Sequence, residues 1–135
     1  MSGVIIFFSS SIMVSLLTLF LMSGVGMKIK RVVKNLPLSI VENSIEYEIE
    51  EAPFDCYYHK DKLEVGIKNY LNLNLKNTLD SYKISFFYFK INDKNEIKID
   101  MSEYPKAFQV HFVAKYYHSF KVDSFTTFSI GTVYE

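Results

Sequence analysis

Hydrophobic and polar positions divide this chain into three successive patterns. From Val4 to Val25 apolar residues dominate, broken only by Ser, Thr and Gly, and the first 27 residues carry no Asp, Glu, Lys, Arg or His. As a helix this run extends roughly 33 Å at about 1.5 Å per residue, close to the ~30 Å hydrocarbon core of a bilayer. It predicts a transmembrane helix. The helix is expected to continue through Lys28, Lys30, Arg31 and Lys34 to about Asn35, because Pro37 disfavours helical geometry at the residue before it.

The second pattern mixes periods. Ile45, Tyr47 and Ile49 alternate with Glu46, Glu48 and Glu50, which predicts a strand over 44–50 with one buried and one wet face, ended by Pro53. Leu63, Ile67, Tyr70, Leu71, Leu75 and Leu79 then recur at helical spacing, predicting an amphipathic helix over about 61–79. Asp61 is the expected cap, since its carboxylate can accept from free amides of the first turn, and Glu64 stands in the capping-box place.

The third pattern is strand. Residues 82–91, YKISFFYFKI, are β-branched and aromatic, 92–95 read as a turn, and Ile97 and Ile99 alternate within 96–100, so a hairpin is expected. A loop follows over 101–105. Phe108, Val110, Phe112, Ala114 and Tyr116 then share one strand face, with Gln109, His111, Val113 and Lys115 opposite. A last strand is expected from about Ser124 to Val133. The predicted fold class is α+β: an N-terminal transmembrane helix (1–35) followed by a head (36–135) of antiparallel β-sheet packed with one amphipathic helix.

At 135 residues, 49% hydrophobic and 16% aromatic, the chain has room for one ordinary domain. A formal net charge of zero gives nucleic acid no electrostatic hold. Placement of the charges matters more. Lys28, Lys30, Arg31 and Lys34 follow the apolar run and suit a membrane surface, where anionic headgroups reward each by ~1 kcal/mol. Between Asn35 and His59 there is no Lys or Arg, while Glu42, Glu46, Glu48, Glu50, Glu51 and Asp55 accumulate. That stretch reads as a solvated acidic face. A cleaved secretory signal is the competing reading of the first segment, with Ser23-Gly24-Val25-Gly26 as a cleavage-like stretch; the length of the apolar run favours a retained anchor. Ser11, Ser15 and Thr18 fall on one face of the helix, a small-residue stripe of the kind that lets membrane helices pack closely.

Candidate chemistry is sparse. Cys56 is the single cysteine, and Cys56, His59, His111 and His118 form no zinc-binding spacing, so no metal site is expected. His111 and His118, seven apart, would fall on opposite faces of one strand. Gly66 and Gly131 are the only glycines beyond the anchor, which excludes a glycine-rich phosphate loop, and no nucleophile elbow or His-Glu-x-x-His helix occurs. Glu46, Glu48 and Glu50 project together, but paired carboxylates do acid–base work only where an apolar pocket raises one pKa. The aromatic runs suit a core plus a protein-contact face better than a nucleic-acid stacking platform, which needs a basic groove. A non-enzymatic binding protein is expected, with no cofactor, no nucleic acid and no small-molecule substrate.

Three stretches, Leu63–Tyr70–Leu71, YKISFFYF at 82–89 and VHFVAKYYHSF at 110–120, set behind an N-terminal anchor helix, give the chain a layout that resembles small pilin-like proteins of the TadE type. The resemblance implies a single-pass membrane protein whose head lies outside the cytoplasmic membrane. It implies a structural role in a surface appendage, secretion or conjugation-type assembly, with membrane lipid and other small single-pass or pilin-like subunits as partners. The alternative is a single-pass adaptor with a cytoplasmic interaction domain. Cationic residues flanking a membrane helix favour that second topology.

Overall fold

The computed structural model describes residues 2–48, 55–91, 94 and 96–130. It has an α+β architecture: helix α1 (Ser2–Lys34), the short helix α2 (Leu38–Glu42), strands β1 (Ile45–Glu48) and β2 (Asp55–Tyr58), helix α3 (Lys60–Leu75), and strands β3 (Ser81–Ile91), β4 (Ile97–Ile99), β5 (Ala107–Tyr116) and β6 (Phe120–Ser129). β1 and β2 form an antiparallel ribbon. The other four strands form an antiparallel sheet in the order β4-β3-β5-β6.

The sheet's register follows its alternation. Phe108, Val110, Phe112, Ala114 and Tyr116 all point to one face and are buried, as the period-2 pattern predicts. Their partners Tyr88, Phe86, Ile84 and Tyr82 on β3, and Phe128, Thr126, Ser124, Val122 and Phe120 on β6, share that inner face. Leu63, Ile67, Leu71 and Leu75 of α3 bury their stripe in the same core. Burying each such side chain stabilises the head by roughly 1.5–3 kcal/mol relative to leaving it in water.

The core has a contributor that the predicted layout of anchor and head did not include. Ile29 and Val33 of α1 are completely buried, with Leu36 beyond them, and they join the head's core. α1 is thus one continuous rod, bare over its first two-thirds and set into the head over its last turns. Gly26 makes the approach possible, since a Cβ there would stand 2.5 Å from the Tyr116 hydroxyl and 3.6 Å from Val122 Cγ2. At Gly66 a Cβ would meet Ile40 Cγ2 at 2.8 Å, so this glycine, which costs α3 some helix propensity, lets α2 lie against α3.

Several boundaries differ from the predicted ones. α3 ends at Leu75, and Leu79 packs on the core from the following turn. Its cap is His59, whose Nδ1 accepts from the Lys62 N–H at 3.4 Å, while Asp61 lies inside the first turn. Glu64 turns from the capping-box place to accept the Tyr88 hydroxyl at 2.9 Å. β6 begins at Phe120, four residues before the expected start. Left-handed φ angles at Tyr117 (48°) and His118 (61°) close a tight hairpin that Tyr and His do not advertise. β2 was not predicted; it pairs with β1 in the register Ile45↔Tyr58 and Tyr47↔Cys56. Tyr47 is exposed, against the expected burial, because the ribbon leaves the core after Ile45. Ile49, Glu50 and Glu51, the turn residues Asn92, Asp93 and Asn95, and the end of the last strand beyond Ile130 lie outside the described residues.

Candidate membrane helix and contact surfaces

Residues 3–21 of α1 are all exposed, and the most apolar 18-residue window has a mean hydropathy of 2.4 with none of it buried. This helix is long and apolar enough to cross a bilayer. Four of its hydroxyl side chains are compatible with such a setting, since they are satisfied within the helix. Ser15 Oγ donates to the Ser11 carbonyl at 2.9 Å and Thr18 Oγ1 to the Val14 carbonyl at 2.8 Å, with Ser9 and Ser10 both donating to Ile6. Ser11, Ser15 and Thr18 share one exposed helix face, as their spacing dictates.

Where the apolar run ends, the helix splits by side. At about 100° per residue, Gly26, Ile29 and Val33 cluster toward the sheet, while Lys28, Lys30, Arg31 and Lys34 spread over the remaining side and are exposed. The cations therefore do not ring the helix. They flank one side of it, and the head occupies the other.

α3 and the sheet set the orientation of the head along this rod. The Tyr70 hydroxyl lies 3.4 Å from the Asn35 carbonyl and 3.5 Å from that of Val32, while Gly26 meets Tyr116 at the end of β5 where Asn72 meets Tyr82, so α3 runs antiparallel to α1. The C-terminal end of α3 meets the start of β3, where the Tyr82 hydroxyl donates to Asn72 Oδ1, and the end of β5, where Asp80 Oδ2 accepts the His118 N–H at 2.7 Å. These parts form the end of the head nearest the apolar span. The far end holds the start of α3, β4, the start of β5 and the β1–β2 ribbon, tied by Tyr58 N–H donating to the Pro105 carbonyl at 2.9 Å.

The far end carries Glu46 and Asp100. Glu46 accepts from Lys62 Nζ at 2.5 Å and from the Tyr57 hydroxyl at 3.4 Å, and the lysine holds its carboxyl below the usual range. At Asp100 burial opposes ionisation, but the Ser102 hydroxyl and N–H, with Lys90 and Lys60 nearby, outweigh it and lower its pKa. Neither is a carboxyl held protonated in an apolar pocket, which is what general acid chemistry would need. The strongest upward perturbation is at Tyr88. Its burial, then its hydrogen bond to Glu64 and the charges of Glu64 and Asp61, push the phenol up, while Lys60 Nζ sits 4.7 Å above the ring. Tyr58 is raised by burial first and by Cys56 second.

The suspected metal residues do not converge. Cys56 is half-buried in β2, His59 caps α3, His111 faces outward on β5 beside Asp123 at 2.5 Å, and His118 sits in the hairpin turn and not in a strand. Among the described residues no group of three His, Cys, Asp or Glu side chains is placed to hold a metal ion.

The sheet's outer face is the feature the strand patterns concealed. In register, Ile99 sits opposite Phe89, Phe87 near His111 (ring centroids 6.5 Å apart) and His111 opposite Phe125, all on the face away from the helices. Ile97, Ile99, Phe87 and Phe125 are 72, 79, 51 and 60% exposed, so this face carries four large apolar side chains set among polar ones such as Gln109, His111 and Thr127, where an uncovered antiparallel face is ordinarily polar. The signal was present in the uninterrupted aromatic run of 86–89, which places large rings on both faces of β3.

Comparison with known proteins finds no matching family model, no matching curated protein and no matching solved structure.

Proposed function

We propose that this chain is a non-enzymatic, membrane-anchored, pilin-like structural subunit that acts by protein–protein contact within a surface appendage, secretion or conjugation-type assembly. The observation that carries the reading is α1: a single rod, bare and apolar for the length of a bilayer, whose last turns are locked into the head through Gly26, Ile29 and Val33. A helix built this way is a mechanical part. Any partner that grips the apolar half fixes the orientation of the head, because no flexible linker intervenes. The outward face around Phe87, Ile97, Ile99 and Phe125 gives the head its own apolar contact surface. In this reading the protein is single-pass in the cell membrane with the head outside the cytoplasm, and its partners are lipid and other small single-pass subunits.

The test is residue-specific photocrosslinking in native membranes, with a crosslinking amino acid at Phe87 or Phe125 on the head and at Leu16 on the apolar helix. Crosslinks to other small single-pass proteins from both sites are expected. A chain that crosslinks only to a soluble partner, or to none, overturns the subunit reading. A cytoplasmic adaptor is the second reading, favoured by the four exposed cations that follow the apolar run.

A further inference from the structure

The β5–β6 hairpin ends in a compact aromatic and basic tip. Tyr116 stacks on Phe120 with ring centroids 5.5 Å apart and meets Tyr117 edge-on at 5.8 Å. Tyr117 is 54% exposed, the His118 side chain is 94% exposed, and Lys115 and Lys121 stand opposite one another in register and are also exposed. Tyrosine with flanking lysine is the chemistry that settles at a membrane–water boundary: the ring body prefers the acyl edge, and hydroxyl and ammonium groups prefer headgroups.

Position decides whether that chemistry is used. The Tyr116 hydroxyl and Val122 lie against Gly26, directly after Val25 at the end of the apolar run and about 3 Å along the axis before Lys28. This is the level at which the apolar span gives way to charge. From there α1 runs away from the span toward Asn35, where Tyr70 meets it, and β5 runs the opposite way toward Tyr116. Residues 117–119 therefore project past Gly26 on the span's side. Lys76, exposed at the C-cap of α3, belongs to the same end of the head, as does Asp80, whose carboxylate is engaged by the His118 N–H, while Glu46, Asp61 and Glu103 belong to the other end with Lys60 and Lys62.

Resting on the membrane-anchor reading above, we infer that the β5–β6 tip is a second, peripheral membrane contact. Tyr117 lies at the acyl–headgroup boundary of an anionic bilayer, and Lys115 and Lys121 meet its phosphates. The head then sits down on the membrane at two points, the α1 exit and the tip, and cannot swivel about the helix.

The chain contains no tryptophan, so a single introduced one reports its own environment. The full-length protein is reconstituted in vesicles of phosphatidylcholine and phosphatidylglycerol, with lipids brominated either near the headgroup or deep in the chain. Three variants are compared: Tyr117→Trp at the tip, Phe20→Trp within the span and Tyr104→Trp at the far end. The expected result is blue-shifted emission from Tyr117→Trp that is quenched mainly by shallow bromines. Phe20→Trp should be quenched mainly by deep bromines, and Tyr104→Trp by neither. Adding Lys115→Glu and Lys121→Glu should reduce the quenching at Tyr117→Trp and leave that at Phe20→Trp unchanged. His118→Trp repeats the measurement should Tyr117→Trp disturb the turn. Solvent-like, unquenched emission from both tip variants with Phe20→Trp still quenched overturns the tip contact and leaves the anchor standing. An unquenched Phe20→Trp overturns both.

Discussion

At the scale of single residues, Tyr88 shows how a polar contact is made to stabilise a small core. Its ring lies on the inner sheet face, its hydroxyl donates to Glu64, and Lys68 pairs with the same carboxylate at 3.3 Å while lying over Phe86. The hydrogen bond to a charged acceptor is worth on the order of 1.5 kcal/mol in the net, so Tyr88→Phe should lower stability by about that much in denaturant titration of the detergent-solubilised protein. The pH dependence has a definite sign. Burial and Glu64 raise the folded-state pKa of Tyr88 above that of the unfolded chain, and burial does the same at Tyr58. At high pH the unfolded state therefore loses its phenolic protons first. The stabilisation is fully present below the unfolded value of about 10 and declines as pH rises from there toward the folded values. Wild-type stability should fall as pH rises through and above about 10, and Tyr88→Phe should show a shallower fall. Equal slopes for the two proteins would show that Tyr88 is not the titrating group.

At the scale of elements, the joint between α1 and the sheet is the most exacting contact. Alanine at Gly26 would gain nearly 1 kcal/mol of helix propensity but place its Cβ on the Tyr116 hydroxyl, the outer atom of a ring held between Tyr117 and Phe120. Overpacking of this kind costs about 1–3 kcal/mol, so Gly26→Ala should destabilise by about 1 kcal/mol net and Gly26→Leu by more. Tyr116→Phe, which removes the obstructing atom, should restore Gly26→Ala in a double-mutant cycle on the thermal midpoint; additive effects would place the strain elsewhere. This joint also marks where the sequence stopped being legible. β5 and the stripe of α3 were readable because each keeps one period over nine residues or more, as Phe108 to Tyr116 does. The role of Ile29 and Val33 was not, because two apolar residues between cations look like the tail of an anchor until a sheet is there to bury them. The β5–β6 turn was hidden for a different reason. Tyr117 and His118 adopt left-handed φ without the Gly or Asn that announces it, held by the Asp80 contact to the His118 N–H and by ring packing. β2 was hidden because Asp55 to Tyr58 is too short to show a period, and its pairing with β1 is set by tertiary contacts at Tyr58 and His59.

At the scale of the whole molecule, charge and shape run along one axis. The cations Lys28, Lys30, Arg31, Lys34, Lys76, Lys115 and Lys121 lie toward the end from which the apolar span emerges, and Lys60, Lys62 and Lys90 lie at the other, where Lys62 pairs with Glu46 and Lys60 and Lys90 stand near Asp100. Glu46 of the ribbon pairs with Lys62 in the first turn of α3, while the basic block ends beside Tyr70, so at about 1.5 Å per residue roughly 12 Å of α3 lies between them. That arrangement suits an anionic surface on either side of a membrane, so the remaining variable is the side, and it separates the two functional readings. Cys56, though the single thiol, is a poor reporter because it is half-buried in the ribbon. Met101, 91% exposed in the loop before β5, is a better position. In a Cys56→Ser, Met101→Cys protein, a membrane-impermeant maleimide added to intact cells should label the chain on the proposed pilin-like reading, which puts the head outside the cytoplasm. Labelling that appears only after lysis would place the head in the cytoplasm, where the flanking-charge rule puts it. The outward apolar face would then belong to an adaptor that recruits a cytoplasmic partner, and the same rod-like helix would serve to hold that partner at a fixed height above the bilayer.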